Sequence, residues 1–159
     1  MTSAKRILFI CTGNSCRSVM AQGLMQAVLQ QSGQTGVQVE SAGVFAVEGM
    51  SATRETQRVL ADAGIDATAH RARNFSPEMA HQADLVFVME AFQKEEVLRR
   101  VPSASGKVHL LKAYGLPAGE VDLNPNIPDP IGKPLEVYEV CFQTIREAVE
   151  RIAKTLSLA

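Results

Sequence analysis

The stretch Arg6–Ser18, which reads RILFICTGNSCRS, decides the fold because it joins a strand to a helix through a short polar turn. Residues Arg6–Ile10 form an apolar run with the length of a buried strand. From Arg17 onward the apolar residues recur at helical spacing, and Ser32-Gly33 ends that pattern. A strand that turns directly into a helix predicts the first unit of an alternating α/β chain.

The rest of the chain continues this alternation. Strands are predicted over Val37–Ser41, Asp84–Met89 and Lys107–Leu111. Helices are predicted to begin after a cap at Ser51 or Thr53, at Pro77, at Phe92 and at Glu136. Strands alternating with helices are typical of an α/β protein with a mostly parallel sheet, here of four strands. There is no internal repeat and no low-complexity linker, so we expect one domain over residues 1–159.

One long segment, Ala113–Pro134, does not fit the alternation. It holds five of the seven prolines, and a long loop of this kind inside one domain is usually functional or disordered. It also contains Asp122 and Asp129. The segment is therefore the place where a mobile carboxylic acid could be carried over a binding site.

The composition excludes several classes of function. The 159 residues are 46% hydrophobic, but no run approaches the roughly 18 apolar residues of a membrane span. A net charge of −1 gives no electrostatic reason to expect nucleic acid or a membrane surface as partner. Three cysteines argue against a disulfide framework, and the apolar run after Lys5 and Arg6 is too short for a signal peptide. We therefore expect a cytoplasmic protein.

The three histidines show no spacing that would suit a metal ion. His70, His81 and His109 are not placed at ligand intervals from one another or from the cysteines. We expect neither a metal nor a cofactor.

The turn between the first strand and the first helix carries most of the chemical information. Such a turn aims successive backbone N–H groups at one point, and the helix N-terminus adds partial positive charge there. A thiol at that point, Cys11, is expected to be a thiolate at neutral pH. Arg17 would complete an anion site, because its planar fork suits two phosphoryl oxygens. The pattern indicates nucleophilic attack on phosphorus; the alternative is a glycine-containing turn with a buried cysteine.

The turn CTGNSCRS resembles the phosphate-binding loop of the low-molecular-weight protein tyrosine phosphatase family. The resemblance covers the whole chain, through the motifs Ser41-Ala42-Gly43, Gly64-Ile65-Asp66, His70-Arg71-Ala72-Arg73, Ala83-Asp84-Leu85 and Asp129-Pro130. It implies a three-layer fold of the phosphatase type I kind and a protein phosphatase activity. The implied partners are a phosphorylated protein and inorganic phosphate or a similar oxyanion in the loop.

The resemblance also implies roles for individual residues. Cys11 would be the nucleophile that forms a phosphocysteine, Arg17 would hold the equatorial oxygens, and Asp129 would serve as general acid and then as base. The phosphate-binding loop would comprise Thr12, Gly13, Asn14, Ser15, Cys16 and Ser18, supported by Ser41 and His70, with Phe45 and Ile131 in the substrate pocket. Alternatives stay open: Asp129 could merely form a turn, Asp122 could be the acid, and His70 could be purely structural.

Cys16 has two interpretations. It could be a resolving thiol that forms a disulfide with Cys11 under oxidants, or a small residue that packs the loop. Cys141 lies on the apolar stripe of the last predicted helix and is expected to be core.

The substrate loops favour phosphoarginine over phosphotyrosine. A phenyl phosphate is gripped by aromatic walls, and Phe45 is the only aromatic in its loop. Protein arginine phosphatases of the family resemble the chain better here, with a small hydroxyl residue at the position of Ser15 that leaves room for a guanidinium group. Arsenate reductase on the same scaffold is the alternative, but the segment after the third strand, Phe87–Ala91, lacks the thiol pair that its cycle needs.

Overall fold

The structure is a computed structural model that describes residues 5–159. The strands are β1 (Arg6–Cys11), β2 (Gln38–Gly43), β3 (Leu85–Val88) and β4 (Val108–Leu110), all parallel, in the order β2-β1-β3-β4. The helices are α1 (Arg17–Gln31), α2 (Arg54–Asp62), α3 (Pro77–Gln82), α4 (Ala91–Arg100) and α5 (Leu135–Thr155), with a 3-10 turn at Pro102–Ala104. The predicted four-stranded parallel sheet is therefore confirmed.

The two faces of the sheet are covered by different helices. Alternate side chains of β1 point to opposite faces, so Ile7 and Phe9 pack with α1, α2 and α5. Leu8 and Ile10 pack with α3 and α4 on the other side. All four side chains are buried, as expected for a central parallel strand with helices on both faces. The fold thus has the three layers that the family resemblance implied.

The strand order places a crevice at the carboxyl end of β1. The chain leaves β1 and returns as β2 on one side, then crosses to β3 on the other side. Connections that depart in opposite directions leave a gap between them, and ligands of open α/β sheets bind in such gaps. The turn after Cys11 therefore lies at the position where this architecture forms sites.

The end of β2 differs from the prediction for a physical reason. The predicted strand Val37–Ser41 stops two residues early, because Ala42 and Gly43 still pair with Ile10 and Cys11 of β1. A glycine at this point is typical of a turn, but pairing with Cys11 of β1 keeps Gly43 in the strand. The start of α2 agrees with the sequence, since the Thr53 hydroxyl caps it by accepting the N–H of Thr56 at 3.2 Å.

The segment between β4 and α5 holds no further strand or helix, and its course is fixed at several points. Arg151 on α5 donates to the carbonyls of Leu111, Lys112 and Tyr114. Further along, the N–H of Ile127 donates to Met89 O at 2.9 Å, at the carboxyl end of β3. This hydrogen bond holds the second half of the segment between β4 and α5 beside the crevice.

None of the helices in residues 5–159 combines the length and apolar character needed to span a membrane.

Candidate active site

The loop between β1 and α1 turns its carbonyl groups outward. Each carbonyl of the following set accepts a hydrogen bond from outside the loop or from α1: Cys11 from Val44 N, Thr12 from Phe45 N, Asn14 from His70 Nε2, Ser15 from Thr53 N and Cys16 from Met20 N. No acceptor within residues 5–159 takes the N–H groups of residues 13 and 15–17. Outward carbonyls leave inward N–H groups, which is the arrangement of an anion-binding nest.

Asn14 holds the loop in this shape. Its φ of 53° is left-handed, a conformation that asparagine adopts more readily than most residues. Its Oδ1 accepts the N–H of Arg73 at 3.1 Å, so its Nδ2 must be the end that donates to the hydroxyls of Ser18 (2.8 Å) and Ser41 (3.0 Å). Sheet edge, loop and helix α1 are thereby joined through one buried amide.

His70 supports the same residue from the other side. Its Nε2 lies 2.7 Å from the carbonyl oxygen of Asn14, which can only accept, so Nε2 carries the proton and donates. Burial lowers the pKa of His70 below its ordinary value, and the nearby charges of Arg71 and Arg73 add to this, whereas the bond to Asn14 opposes it. The ring is therefore neutral at neutral pH, and its contact is with the loop backbone.

Gly43 allows the loop to approach the sheet. A Cβ at this position would lie 2.5 Å from Thr12 O and 3.0 Å from Asn14 N. Only glycine leaves room for that close approach, which explains a glycine inside a paired strand.

The sulfur of Cys11 sits at the base of the nest. It accepts the N–H of Asn14 at 3.2 Å and lies 3.0 Å from the Ser18 hydroxyl oxygen. Because the amide of Asn14 already donates to that oxygen, the Ser18 hydrogen is free to point at the sulfur. Two hydrogen-bond donors therefore face the Cys11 sulfur, and they would stabilise negative charge on it.

Arg17 is buried to 1% exposure and makes its two shortest hydrogen bonds through Nη1, whereas Nη2 makes a longer one of 3.4 Å to the Thr12 hydroxyl. Its Nη1 donates at 2.6 Å both to Glu90 Oε2 and to the carbonyl of Ile127. Its Nε has no hydrogen-bond partner. Within residues 5–159 it is the one buried side-chain nitrogen or oxygen atom that lacks one. The Nε–Nη2 edge of the guanidinium group is therefore available for a bidentate oxyanion.

The charge of Arg17 is secured by its surroundings. Burial alone would lower the pKa of Arg17, but the neighbouring Cys11, Glu90 and Asp129 outweigh it and hold the pKa above its ordinary value. A buried cation acts on an anion in the nest more strongly than an exposed one would.

Asp129 lies at the mouth of the site. Its Oδ2 is 3.7 Å from Arg17 Nη2, and its Oδ1 accepts the N–H of Ile131 at 3.1 Å, which forms a local turn. The side chain is 38% exposed, so both solvent and a molecule in the cavity can reach it. Asp122, the other candidate acid, is instead bound by Lys112 at 3.6 Å and does not line the cavity.

These groups surround a cavity of about 320 Å³. It is lined by Cys11, Thr12, Gly13, Ser15, Cys16, Arg17, Phe45, Val47, Met50, Asp129 and Ile131. Asn14, Ser18, Ser41 and His70 are absent from this lining and form the support behind it. Phe45 (63% exposed) and Ile131 (54%) stand at the rim, with the aliphatic Val47 and Met50 beside them.

The other two cysteines have different surroundings. Cys16 is one of the residues that line the cavity, and its sulfur lies 3.5 Å from the Thr53 hydroxyl and 3.9 Å from that of Tyr138. Cys141 lies on α5 and is packed in the core, where burial raises the pKa of its thiol to about 12. The expectation that Cys141 is a core residue is confirmed.

Sequence reasoning missed Glu90 and Gln93. Glu90 pairs with Arg17, and Gln93 donates through Nε2 to the Thr12 hydroxyl at 3.1 Å. Glu90 follows β3 at the carboxyl edge of the sheet, next to the crevice, and that position was the signal that could have found it. Gln93 carries no such signal, because a glutamine in a helix is usually a surface residue.

Comparisons with known proteins agree on one family. The family described as "Low molecular weight phosphotyrosine protein phosphatase" matches residues 6–158. The chain is 38% identical over 151 residues to a protein-arginine-phosphatase of Geobacillus stearothermophilus, and the aligned residues cover 95% of each protein.

Solved structures give the same result. One match is a YwlE arginine phosphatase, a cysteine-to-serine mutant with a phosphorylated active-site serine. The fold of this chain superposes on it with a TM-score of 0.86 and 30% sequence identity, over 96% of this chain and 95% of that one. It also matches the tyrosine phosphatase Wzb from Escherichia coli K30 in complex with phosphate, with a TM-score of 0.81 and 32% identity over 96% of this chain and 99% of that one.

Proposed function

The chain belongs to the low molecular weight phosphotyrosine protein phosphatase family, and we propose that it hydrolyses phosphorylated protein side chains through a phosphocysteine on Cys11. The observation that carries this proposal is the position of the Cys11 sulfur at the base of a nest of inward N–H groups beside the free edge of Arg17. A thiolate and an oxyanion site at one point are what attack on a phosphoryl group requires.

In the first step the Cys11 thiolate attacks phosphorus. A sulfur–phosphorus bond forms while the bond from phosphorus to the leaving nitrogen or oxygen breaks. Asp129 gives its proton to that leaving atom, so the leaving group departs neutral. The inward N–H groups and Arg17 hold the three equatorial oxygens, whose charge they stabilise throughout. The phosphorylated serine of the related arginine phosphatase mutant supports a covalent intermediate at this position.

In the second step water attacks the phosphocysteine. Asp129, now ionised, takes a proton from the water as the oxygen–phosphorus bond forms and the sulfur–phosphorus bond breaks. Inorganic phosphate leaves and the thiolate is regenerated. Because this cycle needs Cys11 as a free thiolate, it supports a reducing compartment such as the cytoplasm.

The shape of the cavity favours phosphoarginine as the substrate. Phe45 is the only aromatic residue that lines it, so a phenyl ring would find one aromatic wall and otherwise aliphatic contacts. Ser15 is nearly buried in the lining, and its small side chain leaves width for a planar guanidinium group. The family contains relatives named for each substrate, so the lining residues of this chain carry the argument.

Enlarging Ser15 tests this preference. We expect Ser15→Ile to shift the ratio of kcat/KM values toward phosphotyrosine by about tenfold, because the added bulk narrows the cavity where the guanidinium would lie. The measurement compares peptides that carry phosphoarginine or phosphotyrosine in one sequence. Ser15→Ala is the matched control, since it removes the hydroxyl without adding bulk; an unchanged ratio in Ser15→Ile would show that Ser15 is not the selector.

Cys16 supports a second, redox role on the same site. It shares the cavity lining with Cys11, and we propose that peroxide oxidises the two thiols to a disulfide while being reduced to water. The reversible disulfide would spare Cys11 from over-oxidation. In Cys16→Ala we expect peroxide inactivation that dithiothreitol no longer reverses, measured as recovered turnover; recovery equal to that of the parent protein would contradict the role.

A further inference from the structure

The buried side chain of Gln93 on α4 has only one possible amide orientation. Its Oε1 accepts the backbone N–H groups of Met89 at 2.8 Å and of Glu90 at 3.0 Å. Two N–H donors require an oxygen at that end of the amide, so the other end is Nε2. Nε2 lies 3.1 Å from the hydroxyl oxygen of Thr12 and must donate to it.

The Thr12 hydroxyl consequently accepts from two sides. Besides Gln93, Arg17 Nη2 lies 3.4 Å from the same oxygen, and a guanidinium group can only donate. A hydroxyl has two lone pairs and one hydrogen, so its hydrogen must be donated to a third group. Within residues 5–159 no acceptor is in hydrogen-bonding range of it, and Thr12 lines the cavity above Cys11.

The position of Arg17 indicates which group accepts the hydrogen of the Thr12 hydroxyl. Nη2 is part of the guanidinium edge that faces the oxyanion site, and it is within 3.4 Å of the Thr12 hydroxyl. We propose that the Thr12 hydroxyl donates a hydrogen bond to the phosphoryl oxygen held by Arg17, and that Gln93 is the positioning residue that turns its hydrogen toward the cavity. The proposal rests on the proposed function, because it needs a phosphoryl group in the nest.

Such a donor acts on both binding and catalysis. A hydroxyl that accepts from a cationic guanidinium group is polarised and donates more strongly. We expect its loss to weaken the binding of inorganic phosphate about tenfold, the usual value of a hydrogen bond to a charged group. The loss in kcat/KM is expected to be larger, about 100-fold, as for other preorganised donors to reacting oxyanions.

Two matched variants of Thr12 separate the hydroxyl from the shape of the side chain. Thr12→Val keeps the shape and removes the hydroxyl, whereas Thr12→Ser keeps the hydroxyl. Phosphate affinity is measured by calorimetry and kcat/KM with p-nitrophenyl phosphate. We expect both losses in full in Thr12→Val and clearly smaller losses in Thr12→Ser, which keeps the donor. Equal losses in the two variants, or no loss in Thr12→Val, would overturn the proposal.

Gln93→Glu reverses the hydrogen bond without changing the size of the side chain. The carboxylate can still accept from Met89 and Glu90, but its second oxygen would also accept the Thr12 hydrogen and draw it away from the cavity. We expect kcat/KM to fall in Gln93→Glu, and to fall no further when this change is added to Thr12→Val. A further, full-sized loss in the double variant would show that the new charge acts directly, and would refute the positioning role.

Failure of this proposal can be told apart from failure of the proposed function. If the parent protein does not hydrolyse phosphorylated substrates, the proposed function fails. The calorimetric affinity for inorganic phosphate still decides whether Thr12 contacts the oxyanion, because it needs no turnover.

Discussion

Replacing Cys11 with serine is expected to reduce turnover of p-nitrophenyl phosphate by at least about 10⁴-fold, the scale on which loss of a covalent nucleophile acts. A serine hydroxyl is far less acidic than a cysteine thiol and is the poorer nucleophile, so it cannot attack phosphorus at a comparable rate. The nest itself is built from backbone N–H groups and Arg17, and neither depends on the sulfur. Cys11→Ser should therefore still bind inorganic phosphate.

Cys141 supplies the matched control. It is also a buried cysteine, but it lies in the core and its thiol, with a pKa raised by burial to about 12, is un-ionised at neutral pH. Cys141→Ala should keep its turnover. Turnover that survives in Cys11→Ser would refute Cys11 as the nucleophile.

Replacing Arg17 with lysine is expected to lower kcat/KM by about 10³-fold although the charge is kept. The guanidinium group satisfies Glu90 and the carbonyl of Ile127 with Nη1 and still presents a second edge to the oxyanion. A lysine ammonium is a single point charge, which Glu90 would hold, and no fork would remain for the phosphoryl oxygens.

The measurement for Arg17→Lys is kcat/KM together with phosphate affinity. Arg99→Lys is the control, because Arg99 is an exposed arginine on α4 whose one ion-pair partner within residues 5–159 is Glu96 at the surface. We expect no change there. A loss of less than tenfold in Arg17→Lys would mean that charge alone suffices, and would contradict the bidentate role of the guanidinium edge.

The first strand, the turn and the first helix could be predicted from the sequence because their signals are local. The apolar run before Cys11 and the helical spacing after Arg17 depend only on neighbours along the chain. The end of β2 could not be predicted in this way, since Gly43 stays in the strand through its pairing with Cys11. Strand pairing is a property of two segments, and one of them is not visible in the local pattern.

In the site, too, the features that depend on neighbours along the chain could be predicted and those that depend on distant residues could not. The sequence predicted an anion-binding site at Cys11 and Arg17, because a strand-to-helix turn dictates where its N–H groups point. It could not show that Glu90 holds Arg17, or that Gln93 holds Thr12, because these contacts join residues more than 70 positions apart. A buried glutamine looks like any surface glutamine until its hydrogen-bond partners are known.

Trapping the intermediate is the most direct test of whether catalysis passes through a phosphocysteine on Cys11. The protein is mixed with a ³²P-labelled phosphorylated peptide, quenched within the first turnovers, digested and mapped. A phosphocysteine on Cys11 predicts label on the peptide that contains Cys11. Turnover without label on that peptide, or label on another residue, would contradict the account.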